Sequence, residues 1–171
     1  MEAHQVLILA AGWGAYGGLH SLLAAPAVKA RLVGGRPWLA RGYRLLYNAL
    51  AVLTLLPLAW AVVQWGGPPL WQWPGPAWWL AQGLAVAALG VFAATLRGYD
   101  GGAFLGLRQW REGDGPPERE PEPLRLTFAH RHVRHPWYSC GLVLLWTREL
   151  DAAQLVSALA VTAYLVAGSR L

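Results

Sequence analysis

The chain has 171 residues, of which 56% are apolar and 13% are charged, and 11 of them are tryptophans. A soluble domain of this length cannot bury so much apolar surface, so the composition excludes an ordinary soluble protein and indicates a membrane protein. The net charge of +5 could suggest nucleic-acid binding, but the basic residues lie beside apolar stretches, where membrane topology accounts for them. We therefore expect no nucleic-acid partner.

Five apolar segments follow one another, and we predict that each forms a helix of a single integral membrane domain covering residues 1–171. The segments are residues 6–25, 43–65, 77–96, 136–146 and 152–168. No charged residue lies between Arg44 and Arg97, a gap long enough for two helices of about 20 residues. Because only residues 147–151 separate the last two segments, these should form a helical hairpin. The predicted fold is an all-α, multi-pass transmembrane bundle of about five helices.

Local patterns refine the first three segments. The residues before the first segment include Glu2 and no Lys or Arg, so we expect no cleaved signal peptide. Gly14 and Gly18 have the four-residue spacing that lets helices approach closely. Pro57 should kink the second segment. The third segment carries a second predicted close-packing stripe, which consists of Gly83, Ala87, Gly90 and Ala94.

The basic residues predict the orientation. If every segment crosses the membrane, all 14 Lys and Arg residues except Arg148 fall on one side. That side should be cytoplasmic, which puts the amino terminus outside and the loop of residues 97–135 inside. The uncharged loop of residues 66–76 is then external. The tryptophans around it predict an aromatic belt, with an aromatic cofactor box as the alternative; they are Trp60, Trp65, Trp71, Trp73, Trp78 and Trp79.

The loop of residues 97–135 contains three kinds of sequence. Residues 104–110 have the amphipathic pattern of a short interfacial helix. Residues 112–122 mix Pro, Gly, Glu and Asp, which is typical of a solvated linker. Residues 130–135 then form a run of histidines and arginines directly before the fourth segment. Cations crowded against an apolar stretch mark this run as the candidate functional site.

The run has the chemistry of an anion receptor. Pro136 suits the first turn of a helix, so the amides that follow it should point toward Arg131, Arg134 and His135. Tyr138, one turn later, could add a hydroxyl donor or a ring face for a cationic group. A basic patch that touches lipid head groups is the alternative.

Other polar residues are weaker candidates for the functional site. His20 and Asn48 lie at membrane depth, where each could contact a substrate or bond a neighbouring helix. Gly12, Gly14 and Gly17 match a dinucleotide-binding spacing, but no strand precedes them. The histidines of the run do not share a helix face with a carboxylate, so we predict no metal site. Cys140 is interpreted as a small apolar residue.

The string RHVRHPWYSCGLVLLW, residues 131–146, resembles a signature of the isoprenylcysteine carboxyl methyltransferase-like membrane proteins. This broad group includes phospholipid methyltransferases, methanethiol S-methyltransferases and NnrU-like proteins. Three further strings resemble its smaller bacterial members: HSLL at residues 20–23, YRLLYN at residues 43–48 and GLRQ at residues 106–109. The resemblance covers nearly the whole chain and implies a location in a bacterial inner membrane.

The resemblance implies a membrane methyltransferase that uses S-adenosylmethionine and modifies a small or lipophilic thiol, carboxylate or amine, in contact with membrane lipids. By that resemblance the candidate cofactor-binding residues are Arg131, Arg134, His135 and Tyr138. The candidate substrate-binding residues are His20, Asn48, Gln109 and Trp137. No catalytic residue, and no oligomeric state, is implied.

Two other functions stay open beside this one. The first is a non-enzymatic NnrU-like protein that acts in transport or assembly or binds anionic lipid, and the second is a nicotinamide-dependent membrane reductase. The family pattern has aromatic residues at His130 and His132 and glycine at Cys140, and it continues after its last helix with a tail that completes the cofactor pocket. This sequence ends at Leu171, so the expectation is weakened cofactor binding.

Overall fold

Prolines and acidic caps set where most of the helices begin. In the computed structural model, which describes residues 1–112 and 127–169, four α-helices start at a proline, whose fixed φ and missing N–H suit a first helical turn. The α-helices are α1 (Ala3–Ala24), α2 (Pro26–Val33), α3 (Pro37–Gln64), α4 (Pro76–Leu96), α5 (Gly101–Leu105), α6 (Leu107–Glu112), α7 (Pro136–Trp146) and α8 (Ala152–Gly168), and a 3-10 helix covers Phe128–Arg131. The described residues form no strand beyond one isolated bridge, which confirms the all-α prediction.

The five predicted apolar segments correspond to α1, α3, α4, α7 and α8. Of these, α1, α3 and α4 are long and apolar enough to cross a membrane, whereas α8 has 17 residues and α7 has 11. The second segment begins six residues earlier than the apolar pattern suggested, because Pro37 starts the helix before its charge-free part. Most of the predicted linker, residues 113–122, lies outside the described residues, as do Arg119, Arg125 and Arg170.

The described residues divide into two compact units. The first contains residues 1–14, 58–98 and 127–169, and the second contains residues 15–57 and 99–112. In the first unit α7 packs on α4, α8 packs on α7, and the 3-10 helix packs on the end of α4.

The buried face of α4 is not the predicted stripe of small residues. Ala81, Ala85, Ala88 and Thr95 are its buried residues. Gly83 and Gly90 are exposed, and no described atom outside the helix's own turn lies within 4 Å of where their Cβ would be. The same holds for Gly14 and Gly18. Within the described residues, neither predicted close-packing stripe meets another helix, since the spacing marks a possible contact face but does not select the face that meets a partner.

Three tryptophans join helices of the first unit through hydroxyl groups. The indole N–H groups of Trp13, Trp137 and Trp146 donate to Ser157, Thr95 and Thr162 at 2.9, 2.8 and 3.0 Å. Each hydroxyl in turn donates to a backbone carbonyl of its own helix. These bonds satisfy indole donors that would otherwise be costly in an apolar environment.

The two loops of the first unit at residues 65–75 and 147–151 are bonded together. Trp71 and Leu150 form an antiparallel bridge, with both N–H···O distances at 3.0 Å. Asp151 caps α8 in a capping box with Gln154 and also accepts from the Gly67 amide at 3.4 Å. Trp60 and Trp79 are exposed, as an aromatic belt requires, and the belt stays a prediction.

In the second unit, the predicted interfacial helix is split into α5 and α6 by Gly106. Its φ of +88° is a left-handed conformation that ends α5. A Cβ at this position would lie 2.6 Å from the Leu45 backbone nitrogen, so the turn lies directly on the backbone of α3. Glycine is therefore required there by both conformation and space.

Candidate functional site

The cationic run links the 3-10 helix to α7 in the first unit. The Thr127 amide donates to His130 Nδ1 at 3.1 Å, and the two residues form a capping box at the start of the 3-10 helix. Ala129 is buried, which holds this short helix against α4. The run is therefore anchored immediately before its charged residues.

The charged side chains that follow face solvent. Arg131, His132, Arg134 and His135 are all exposed, and no ion pair among the described residues involves Arg131 or Arg134. A guanidinium group can bind a carboxylate or phosphate through charge-assisted, bidentate hydrogen bonds. Exposed arginines are compatible with the predicted anion receptor, and anion binding itself stays a prediction.

Residues at the start of α7 point in two directions. The rings of His135 and Tyr138 stack with centroids 5.1 Å apart and an interplanar angle of 20°, and both residues are exposed. Pro136, at the first helical position, is buried. Since the first amides of a helix have no intrahelical acceptor, those after Pro136 add positive potential beside the stack.

Trp137 lies on the opposite side of this turn. Its indole donates to Thr95, which is fully buried, and its ring meets Phe92 edge to face at 5.4 Å. Trp137, a predicted substrate-binding residue, therefore also fixes the start of α7 against α4. Thr95 was not among the predicted site residues. The one sequence feature that could have identified it is a hydroxyl side chain near the end of an otherwise apolar segment.

The remaining predicted substrate-binding residues lie in the second unit. Tyr47 and His20 are hydrogen-bonded, with 2.7 Å between the Tyr47 hydroxyl and Nε2. Asn48 donates to the carbonyls of Phe104 and Leu105, at the end of α5, at 3.1 and 3.2 Å. These bonds fit the second interpretation of His20 and Asn48, as residues that join neighbouring helices.

Gln109 takes part in the same arrangement. Its Nε2 donates to the Ala103 carbonyl at 3.1 Å, while its Oε1 is buried with no hydrogen-bond partner in the part of the chain that the structure describes. The turn formed by residues 106–109 therefore packs on residues 43–48 of α3. These are two of the sequence strings that carry the family resemblance.

The predicted site residues fall into two groups. Arg131, Arg134, His135, Trp137 and Tyr138 belong to the first unit, and His20, Asn48 and Gln109 belong to the second. Within residues 1–112 and 127–169, no three His, Cys, Asp or Glu side chains come together to hold a metal ion. Comparison of the chain with protein-family models, with curated proteins and with solved structures found no match.

Proposed function

We propose that this protein is an S-adenosylmethionine-dependent membrane methyltransferase. The observation that carries the proposal is the pair of exposed arginines, Arg131 and Arg134, beside the His135–Tyr138 ring stack at the start of α7. We further infer that this end faces the cytoplasm, where basic residues concentrate.

The hydrogen-bond donors and the aromatic ring at the start of α7 match the chemical groups of the cofactor. Arg131, Arg134 and the first amides of α7 would hold its methionyl carboxylate, and the open face of Tyr138 would lie against its sulfonium. Bound S-adenosylmethionine would supply an electrophilic methyl group. Arg134, His135 and Tyr138 would orient it, and an apolar surround would exclude water from the reacting groups.

The acceptor class follows from the surroundings. Three helices that could cross a membrane favour a small or lipophilic thiol, carboxylate or amine that arrives through the bilayer. A thiolate or carboxylate acceptor would need little help from a general base.

Calorimetry on the detergent-solubilised full chain tests this proposal. S-adenosylmethionine and its demethylated product should both bind saturably, and NADPH should not. Arg134→Ala should weaken both ligands by about tenfold, because both carry the carboxylate that the arginine holds. Tyr138→Leu should weaken S-adenosylmethionine more than the product, because only the former has a sulfonium charge.

Matched variants separate the site from general effects. Arg36→Ala and Tyr164→Leu remove an exposed arginine and an exposed tyrosine ring outside the cationic run and should leave binding unchanged. Absence of cofactor binding by the wild-type protein would contradict the proposal.

A second candidate function is non-enzymatic anion binding, of NnrU type, by the same run. The observation in its favour is that the basic side chains are exposed rather than enclosed. Heat from anionic lipid alone, abolished by Arg134→Ala, is the result that this alternative predicts.

A further inference from the structure

We propose a second binding site, in the second unit, for the phosphate head group of an anionic phospholipid. The site is an open cavity of about 420 Å³ lined by Pro37, Trp38, Arg41 and Trp110. It contains none of the residues proposed to bind S-adenosylmethionine and does not depend on the methyltransferase proposal.

The walls of the cavity come from two elements that are held together. Trp38 and Arg41 belong to the first turns of α3, and Trp110 belongs to α6. A Cβ at Gly42 would lie 3.1 Å from Cζ3 of Trp110, so the indole ring packs directly on the α3 backbone. The docking of Gly106 on Arg44 and Leu45 fixes α6 at the same place.

The position of the cavity along α3 matches the head-group layer of a bilayer. The charge-free part of α3 runs from residue 45 to residue 64, about 30 Å of helix, which is the thickness of the hydrocarbon core. Arg41 lies four residues before this part, roughly 6 Å further along the axis. The head-group layer extends about 5–8 Å beyond the hydrocarbon on each side, so the guanidinium lies at the depth of lipid phosphates.

The surrounding charge selects an anionic lipid. Residues 15–57 and 99–125 together contain nine Lys and Arg residues and six Asp and Glu residues. This excess of positive charge favours a head group with net negative charge over a zwitterionic one.

The side chains also suit an amphiphilic ligand. Trp38 is 62% exposed and Trp110 is 53% exposed, and indoles prefer the polar–apolar boundary of a membrane. Leu46 and Leu53 are exposed on the α3 face that contains Gly42, at spacings of four and seven residues. An acyl chain can lie along this face while the phosphate contacts Arg41.

Native mass spectrometry of the full chain in neutral detergent tests the site. Phosphatidylglycerol should bind about tenfold more tightly than phosphatidylcholine, and Arg41→Gln or Trp38→Leu should each weaken it by about tenfold. Arg31→Gln and Trp79→Leu replace exposed residues of the same kinds away from the cavity and should leave binding unchanged.

Several results would overturn the lipid site. They are equal binding of phosphatidylcholine, displacement of the lipid by an equal concentration of soluble glycerol 3-phosphate, and equal losses in the control variants. Loss on Arg134→Ala with retention on Arg41→Gln would assign the lipid to the cationic run instead. If Arg41→Gln fails to fold, Trp38→Leu decides the question, because truncating an exposed indole leaves no core cavity.

Discussion

At Gly106, both the backbone conformation and the packing against α3 require a glycine. In Gly106→Ala, an alanine must adopt the left-handed φ that this turn requires. Its Cβ also collides with the Leu45 backbone, and no side-chain rotation can relieve that contact. We expect a loss of about 2 kcal/mol or more in the free energy of unfolding. Denaturant unfolding of the detergent-solubilised protein measures it.

Gly83→Ala is the matched control for this prediction. Gly83 is an exposed helical glycine with open space around its Cβ position, so alanine there should be neutral or slightly stabilising. Equal stability of Gly106→Ala and the wild-type protein would contradict the docking of the α5–α6 turn on α3.

Residue types alone showed which side chains need partners but not which partners they have. His20 and Asn48 were identifiable as polar groups at membrane depth, yet nothing local specifies Tyr47 for the first or the end of α5 for the second. Thr95 was missed for the same reason, since only the position of Trp137 on another helix gives its hydroxyl a role.

Among the elements, those with local start signals were the most predictable. Pro136 correctly predicted the start of α7, and the segment from 77 to 96 matches α4 to within one residue. The faces of helices were not predictable in this way, because burial of Ala81 rather than Gly83 is decided by the partner helix. The break inside the interfacial helix depended on a single glycine conformation that the amphipathic pattern does not encode.

The Asp100 cap of α5 predicts that the stability of this helix depends on pH. The Ala103 amide bonded to Asp100 lowers the pKa of this carboxyl below its ordinary value, and Arg108 lowers it further. A carboxyl with a lowered pKa in the folded state stabilises that state above its ordinary pKa, and the contribution is lost as pH falls through the lowered value. Protection of α5 and α6 amides should therefore persist to the ordinary aspartate range and decline only below it.

Hydrogen exchange at several pH values, corrected for intrinsic rates, measures this protection. Asp100→Asn should remove the pH dependence, because an asparagine can cap the helix but does not titrate in this range. Glu112→Gln is the control and should keep the wild-type profile. An unchanged profile in Asp100→Asn would show that another group titrates.

At the scale of the whole molecule, the uneven distribution of basic residues predicts the topology. In a Cys140→Ser background, Pro69→Cys should react with a membrane-impermeant maleimide in intact cells. Leu32→Cys should react only after permeabilisation, because it lies among basic residues, and basic loops generally stay on the cytoplasmic side of a membrane. Both positions are exposed. The reverse pattern would invert the orientation and place the cationic run outside.

The sequence predicted the helical class and all five apolar segments, because apolar length and the prolines are local properties. The division of the described residues into two units could not be predicted, since it depends on contacts between distant segments. The candidate site was predictable where it is contiguous, in residues 131–138. The cavity between Trp38, Arg41 and Trp110 was not, because its walls are about 70 positions apart in the chain.

The tryptophan–hydroxyl bonds of the first unit restrict how its helices can move. A slide of one helical turn would carry Thr95 or Thr162 about 5.4 Å along the helix axis, leaving an indole with no acceptor and no water to replace it. Piston-like motion is therefore costly at three places at once. Any opening of this unit should instead occur by rocking of bonded helix pairs, with their mutual alignment unchanged.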